Sequence, residues 1–184
     1  MKTKIISGFV ACVMLLGLTA FGIASAGGGG SANKLEGAWI AKVDGSTGQW
    51  SYVLSPDSSG RRASGHGSVD VGMYTGPFFE TDMVSPILIE MEMTGPKTAA
   101  AYSVFYGLKD LVPTDLLDPN REIVYIGIVR STAEFVAPNE LEGVHYFAFY
   151  DASKDADGNG LPDPDEDPDF ELTMTTTDTR LPSP

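Results

Sequence analysis

The feature that most constrains the fold is an alternation of apolar and polar residues with a period of two. Successive side chains of a β-strand point to opposite faces, so this alternation is typical of strands with one buried face. The alternating segments are rich in β-branched and aromatic residues, and clusters of Gly, Pro, Asn and Asp separate them. The pattern predicts strands over 37–43, 49–55, 64–71, 86–93, 100–108, 121–129, 133–137, 143–151 and 170–177.

Helical periodicity is nearly absent. The one segment with helical character is 108–118, and Pro113 limits it to about one turn. Eight or nine short strands at this spacing form an all-β antiparallel meander, which closes into a barrel or splits into a sandwich. We predict a single domain over 35–180 and favour the barrel over the sandwich.

The N-terminus predicts export. Two lysines precede an almost wholly apolar stretch over 5–24, and the sequence A-S-A at 24–26 has the small residues of a signal-peptidase site. A retained membrane anchor is the alternative, because about 20 apolar residues span a bilayer. The glycine-rich sequence that follows favours cleavage. We therefore predict a signal peptide over 1–26, a flexible segment over 27–34, and a secreted or periplasmic protein.

Charge and cysteine content limit the partners of the exported chain. Residues 1–26 contain two lysines, the single cysteine and no acidic residue, so the remaining 158 residues carry ten basic and 25 acidic side chains, a formal charge of −15. Without disulfides the domain depends on core packing, helped by a metal where one binds. The negative charge argues against nucleic acid and anionic membrane surfaces as partners, because both attract basic patches.

The most specific motif lies in the acidic loop predicted over 151–169, in which residues 153–169, S-K-D-A-D-G-N-G-L-P-D-P-D-E-D-P-D, hold seven carboxylates. Its middle part, 155–166, satisfies the calcium-loop pattern D-x-[DN]-x-[DN]-G-x5-E. A glycine bend at the sixth position lets alternate oxygen atoms converge on one Ca²⁺ ion. The predicted ligands are the side chains of Asp155, Asp157, Asn159, Asp163 and Glu166 and the main-chain carbonyl of Leu161.

The flanks of this loop differ from those of an EF-hand. A strand precedes the loop, and prolines at 162, 164 and 168 prevent an exit helix. The stretch is similar instead to the aspartate-rich calcium repeats of thrombospondin type 3, which wrap calcium without a helical frame. The resemblance implies calcium binding at the matched positions, with Glu166 where an aspartate is usual. The alternative is an acidic loop that is merely solvated.

A second resemblance rests on L-E-G-A-W-I-A-K-V at 35–43. This G-x-W start of a secreted β-meander resembles the lipocalin-like, or calycin-type, barrels. The resemblance implies an eight-stranded barrel in which Trp39 closes one end and a small apolar ligand enters at the other. The family also has an arginine late in its sequence, and the candidates for its counterpart here are Arg130 and Arg180.

The predicted strand 143–151 is largely apolar on both faces. His145 shares one face with two phenylalanines, and two tyrosines and an alanine lie on the other. Such a strand has a packed interior on one side and a covering loop or partner on the other. His145 is therefore predicted to be a packed or cavity-lining residue.

The sequence contains no H-E-x-x-H, no G-x-S-x-G and no glycine-rich phosphate loop. His66 lies near Ser64 and Ser68, but a triad also needs an acid that the fold positions, which sequence alone does not show. Glu90 and Glu92 have the spacing of an ordinary outward-facing pair. We expect a non-enzymatic barrel that binds calcium and carries a small apolar ligand in a cavity of about 300 Å³ or more. The alternatives are a structural or surface-interaction module with a filled core, and a hydrolase of unknown substrate.

Overall fold

A computed structural model describes residues 31–69, 81–110 and 121–182. The predicted signal peptide, the first four residues of the glycine-rich segment and most of the predicted helical segment, 111–118, lie outside these ranges. Residues 70 and 71, the predicted end of the strand that begins at 64, lie outside them as well.

The described chain consists almost wholly of β-strands, as the alternation predicts. Their bounds are β1 Gly37–Val43, β2 Gln49–Pro56, β3 Arg62–Val69, β4 Met83–Val84, β5 Ile87–Met93, β6 Thr98–Asp110, β7 Arg121–Ala137, β8 Glu140–Asp151 and β9 Phe170–Arg180. Short 3-10 helices cover Ala32–Lys34 and Ala152–Lys154. Within the described ranges, no helix has the length and apolar character needed to cross a membrane.

The strands form one closed sheet. Around it follow β6, β5, β3, β2, β1, β9, β8 and β7, and β7 pairs again with β6. Every one of these pairings is antiparallel. Eight strands therefore make a barrel, and β4 adds a short pairing to the end of β6. The barrel prediction is confirmed, and the sandwich is excluded because the sheet closes on itself.

Two predicted boundaries within the strands are wrong. The separate strands at 121–129 and 133–137 are one continuous strand, β7, because residues 130–132 pair with β6 on one side and with β8 on the other. Residues 108–110, predicted as the start of a helical turn, extend β6 and pair with the beginning of β7. In both places cross-strand pairing outweighs the local sequence signal.

The predicted flexible segment is ordered at its described end. Ala32 is fully buried, and its N–H group donates a hydrogen bond to the carbonyl oxygen of Gly60 at 2.8 Å. Leu35 is fully buried as well. These two apolar side chains pack against the barrel, so the flexible segment predicted over 27–34 is wrong for residues 31–34.

Trp39 closes the end of the barrel against which Ala32 and Leu35 pack. This is the position that the calycin-type resemblance predicts for it. Its side chain is fully buried, and Nε1 donates a hydrogen bond to the carbonyl oxygen of Leu35 at 2.9 Å. Its ring lies 6.3 Å from the ring of Tyr52, nearly parallel to it, and 6.2 Å from the edge-on ring of Phe135. The aromatic cluster fills the space between the strand ends and leaves the buried indole N–H satisfied.

Arg180 covers the ring of Trp39. Its guanidinium carbon lies 4.7 Å from the ring centroid, and its Nη2 donates a hydrogen bond to the main-chain carbonyl of Lys34. Arg130, the other candidate for the late arginine, lies exposed on the outer wall, 5.9 Å from the centroid of the Tyr102 ring. Of the two arginines, Arg180 is therefore the one that contacts the tryptophan.

The contrast between these two arginines predicts a difference in stability. The change Arg180→Ala removes a cation–π contact in a partly desolvated setting and should lower the free energy of unfolding by about 2 kcal/mol. Arg130→Ala removes a solvent-exposed contact and should cost about 0.5 kcal/mol or less. Urea unfolding of both variants measures the difference. Equal losses would contradict a role for Arg180 in holding the closed end.

Candidate functional site

The interior of the barrel contains a cavity of about 40 Å³. Its lining is Trp50, Tyr52, Ile87, Ile89, Met91, Ala99, Ala101, Ser103, Val129, Ser131, Ala133, His145, Phe147 and Asp178. This volume holds on the order of one to three non-hydrogen atoms, since a water molecule takes about 30 Å³. The prediction of about 300 Å³ or more does not hold for this cavity, because large aromatic side chains fill much of the interior. A second, more open pocket of about 740 Å³ shares Ala99 and Ala133 with its lining.

A buried chain of hydrogen bonds forms the polar wall of the cavity. Ser131 Oγ lies 2.8 Å from Nδ1 of His145, and His145 Nε2 lies 2.8 Å from Oγ1 of Thr176. Thr176 Oγ1 donates to Oδ1 of Asp178 at 2.6 Å, and the hydroxyl of Tyr52 donates to Oδ2 at 2.7 Å. Five side chains from four strands are thus connected inside the barrel.

The donor and acceptor of each hydrogen bond in this chain follow from the carboxylate of Asp178. Thr176 has one hydroxyl proton, and Asp178 accepts it, so Nε2 of His145 must donate to Thr176. A neutral imidazole then has an unprotonated Nδ1, which accepts from the hydroxyl of Ser131. Both oxygens of Asp178 accept hydrogen bonds, as an ionised carboxylate does.

Strand register brings the chain together. Ser131 of β7 is directly opposite His145 of β8, and Gly143 of β8 is opposite Thr176 of β9. A Cβ atom at Gly143 would lie 2.5 Å from His145 Nε2 and 2.8 Å from Thr176 Oγ1. Glycine at this position therefore makes room for the hydrogen bond between the two side chains.

A small residue on β1 also leaves room for a contact between β9 and β2. The intervening strand, β1, places Ala41 opposite Asp178. Because the alanine side chain is short, the hydroxyl of Tyr52 passes over it and reaches the carboxylate. The hydrogen bond joins residues 126 positions apart in the chain, so sequence spacing gives no sign of it.

Burial shifts the pKa values of His145 and Asp178, two titratable members of the chain. Desolvation lowers the pKa of His145 to about 4, so the imidazole is neutral at pH 7. Desolvation also raises the pKa of Asp178, while the hydrogen bonds from Thr176 and Tyr52 act in the opposite direction. The charged form of each side chain is thus disfavoured by its surroundings.

Ser103 adds a further hydroxyl to the cavity. Its side chain is 7% exposed and lines the space beside Ala101 and Ser131. A hydroxyl on a cavity wall can donate a hydrogen bond to a bound polar molecule or accept one from it.

The acidic loop is ordered by its own side chains. Asp155 Oδ1 and Oδ2 accept hydrogen bonds from the N–H groups of Asn159 and Gly160, each at 2.9 Å. Asp157 Oδ1 accepts from the N–H of Asn159 at 3.1 Å, and Asn159 Oδ1 accepts from the N–H of Leu161 at 2.8 Å. These bonds place the side-chain oxygens of the first three predicted ligands around one bend.

The remaining predicted ligands do not complete a metal site. Asp163 and Glu166 make their main-chain hydrogen bonds further along the loop, to Lys154 and Asp163 carbonyls. Within the described ranges, no three His, Cys, Asp or Glu side chains form a group that could hold a metal ion. Calcium binding through the six predicted ligands therefore stays a prediction.

The loop is attached to the barrel at its base and at its tip. Lys154 donates to Asp169 Oδ1 at 2.9 Å and to the carbonyl of Asp167 at 2.7 Å, which joins the two ends of the loop. At the tip, the hydroxyl of Tyr106 on β6 donates to the carbonyl of Gly160 at 3.1 Å. The loop thus lies against the outer wall of the barrel.

This outer wall is apolar under the loop. Outward-facing Ile126, Ile128 and Ala148 are almost completely buried, and Tyr106 and Tyr150 pack around them. Both faces of strand 143–151 are largely buried, as predicted, although Val144 near its start is 47% exposed. His145 lines the cavity on the inner face, with its ring 5.1 Å from that of Trp50.

The other residues weighed in the sequence lie on the outer surface. His66 is exposed and pairs with Val53 and Leu88 rather than with an acid. Glu92 lies 3.7 Å and 3.6 Å from the guanidinium groups of Arg61 and Arg62, as a surface ion pair does. These contacts supply no catalytic arrangement.

Sequence reasoning missed four members of the polar chain: Tyr52, Ser131, Thr176 and Asp178. A signal was present in β9, where Thr176 and Asp178 recur with a period of two on the face that also carries Met174 and Arg180. Threonines occupy both faces of that strand, so its alternation does not indicate which face is interior.

Comparisons with known proteins identify no family. No family model and no curated protein matches the chain. A solved structure described as "Structure of EF1p2_mFAP2b bound to DFHBI" is similar to it, with 16% sequence identity and a TM-score of 0.44, over 82% of this chain and 97% of that chain. Because this TM-score is low, the fold assignment depends on the strand pairing alone.

The buried imidazole predicts how stability depends on pH. The pKa of His145 is about 4 in the folded protein and 6.5 in an unfolded chain, so only the unfolded state takes up its proton between these values. Stability should therefore fall as the pH is lowered from 6.5 to 4, by about 3 kcal/mol from this group.

Urea unfolding at several pH values tests the imidazole directly. His145→Gln should remove this part of the pH dependence, whereas His66→Gln, at the only other histidine, should leave it intact. The titration of Asp178 changes the stability in the opposite direction, because its pKa is raised in the folded protein. It contributes in the unmodified protein and in both variants. An unchanged pH slope in His145→Gln would contradict the assignment.

Proposed function

We propose that the protein is an exported, non-enzymatic β-barrel that binds a small molecule in its interior, through the polar chain that ends at Asp178. The observation that carries the proposal is the cavity of about 40 Å³ with a hydrogen-bonding wall. Ser103 and Asp178 line it, and both side chains are more than nine-tenths buried. Buried polar groups around a cavity favour a molecule that can hydrogen-bond to them.

The size and polarity of the cavity argue for a smaller ligand than the sequence predicts. Typical ligand pockets measure about 300–1,000 Å³, so an apolar ligand of ordinary size would require the aromatic side chains to move. Apolar residues of β5 and β6, such as Ile89 and Ala101, cover one side of the cavity. Met91 on the same side is flexible and adapts easily to a neighbour. A small molecule with a polar and an apolar end fits this division.

A hydrolase is a weaker alternative. Ser131 and His145 are within hydrogen-bond distance, as a nucleophile and its base are. However, the neighbouring main-chain N–H groups belong to the ladders of β6, β7 and β8, so the described chain offers no donors for an oxyanion at Ser131. A cavity of about 40 Å³ also leaves no space for a substrate with a scissile bond.

Filling the cavity tests small-molecule binding. Ala101 lines the cavity, and Ala100 lies on the opposite face of the same strand. Ala101→Val should abolish binding of ethanol and acetamide, because two added carbon atoms take up the space. Ala100→Val, the same change on the outer face, should not alter it.

The readout uses the two tryptophans as a pair. Binding should shift the indole N–H NMR signal of Trp50, which lines the cavity, and leave that of Trp39 at the closed end unchanged. If no small molecule shifts the Trp50 signal in the unmodified protein, the interior is simply a packed core. The alternative of a structural or surface-interaction module would then be the better description.

Calcium binding by the loop is a second candidate function. It is supported by the hydrogen bonds that turn Asp155, Asp157 and Asn159 around one bend, and by the attachment of the loop at Lys154. A calcium ion would neutralise the repulsion among the seven carboxylates and brace the connection between β8 and β9. Such a site would act as a stabiliser rather than as a centre of chemistry.

Thermal unfolding with added calcium tests this candidate. With a dissociation constant of about 10⁻⁴–10⁻³ M, 10 mM calcium should stabilise the fold by about 1.5–3 kcal/mol and raise the melting temperature by about 3–10 °C. Asp155→Asn should remove the shift. Asp165→Asn, an equal change of charge at a position outside the predicted ligands, should preserve most of it. A melting temperature that calcium and chelator leave unchanged would count against the site.

A further inference from the structure

We infer that the ligand of the interior cavity is a small organic cation, a primary ammonium group on one or two carbon atoms. The inference rests on the proposed small-molecule function and names the class of molecule. Three features of the cavity carry it: a buried carboxylate without a counter-ion, aromatic rings around it, and a small volume.

The carboxylate of Asp178 is the first feature. It is 3% exposed, and both of its oxygens accept hydrogen bonds from hydroxyl groups, as an ionised carboxylate does. Within the described part of the chain, Arg61, Arg62 and Lys154 form ion pairs with Glu92 and Asp169, and no lysine or arginine forms an ion pair with Asp178. The next inward residue of β9, Arg180, is directed to the ring of Trp39 at the closed end.

A buried charge without a partner is strongly unfavourable, and a cation beside it removes that penalty. The hydrogen bonds from Tyr52 and Thr176 stabilise Asp178 but leave its charge uncompensated. His145 does not supply a compensating charge, since its ring is a neutral link in the chain. A ligand with a positive charge therefore matches the wall better than a neutral or anionic one.

The aromatic rings are the second feature. Trp50, Tyr52 and Phe147 line the same cavity as Asp178, and the rings of Trp50 and Phe147 meet edge to face at 6.2 Å. Aromatic faces attract cations, and the attraction grows when the cation is removed from water. The rings also provide apolar contact for the carbon atoms of an alkylammonium ion.

The volume is the third feature. A cavity of about 40 Å³ admits on the order of one to three non-hydrogen atoms, so methylammonium and ethylammonium fit and longer amines do not. An ammonium group has three hydrogen-bond donors. Asp178, Ser131 and Ser103 offer acceptor oxygens on the cavity wall.

The test compares cations with neutral molecules of the same size. The full exported chain is titrated at pH 7 with methylammonium, ethylammonium and ammonium chlorides, and in parallel with methanol and ethanol, at constant ionic strength. The indole N–H signal of Trp50 reports binding, and that of Trp39 serves as the internal reference. Methylammonium or ethylammonium should bind at least about tenfold more tightly than the matching alcohol, and butylammonium should not bind.

The ammonium ion distinguishes a site that recognises only a charged nitrogen from one that recognises an alkylammonium ion. If it binds as tightly as methylammonium, the site recognises the charged nitrogen alone, and the inference of an organic cation is overturned. If it binds about tenfold more weakly, the aromatic rings contribute through the alkyl carbon. This second result is the expected one.

Two variants check the residues. Asp178→Asn should remove the preference for the cation over the alcohol, and Ser103→Ala should weaken methylammonium binding about threefold. If Asp178→Asn does not fold, the comparison of cation and alcohol in the unmodified protein decides the matter without it. Equal binding of ethylammonium and ethanol would overturn the inference while leaving small-molecule binding intact. If neither ethylammonium nor ethanol binds and Ala101→Val has no effect, both the inference of a cation and the proposed binding of a small molecule are overturned.

Discussion

The pairing of β6 with β7 is the interaction on which the rest of the structure depends. It joins the two ends of an eight-stranded meander and turns an open sheet into a barrel. The hydrogen-bonded chain from Ser131 to Tyr52 runs along the neighbouring strands β7, β8, β9, β1 and β2. Closure brings β5 and β6 opposite this chain, so that Ile89 and Ala101 complete the cavity. The enclosed site is thus a consequence of sheet closure.

The inner and outer faces of the barrel wall differ in composition. The inner face combines an apolar core with a line of polar side chains, and each polar member is stabilised only by its neighbour in that line. The outer face of β6 to β8 is apolar, and the acidic loop lies against it through Tyr106 and Gly160. The loop therefore keeps its charges in solvent while its base is held by Lys154 and Asp169. Interior and loop are separate candidates for binding, on opposite sides of the same strands.

Much of the fold could be predicted from local patterns. The alternation in β5 placed Ile87, Ile89 and Met91 on one face, and all three are buried. The apolar character of both faces of strand 143–151 indicated a covered outer wall. Errors arose where local signals are weak: the strand break before Ala133 does not exist, because pairing on both sides carries β7 through residues 130–132. The candidate site was predictable only for His145, whose aromatic neighbours marked it as interior.

The sequence by itself determined the all-β class, the positions of most strands, the burial of Trp39 and the acidic register of the loop at 155–166. These properties depend on residues close together in the chain. Only the tertiary structure decided that Arg180 rather than Arg130 covers Trp39, that the cavity is small, and that Asp178 lies in its wall beside Tyr52. The reason is physical: the contacts of Arg180 with Trp39 and of Asp178 with Tyr52 join residues more than a hundred positions apart, and the pairing of β9 with β1 and of β1 with β2 brings them together.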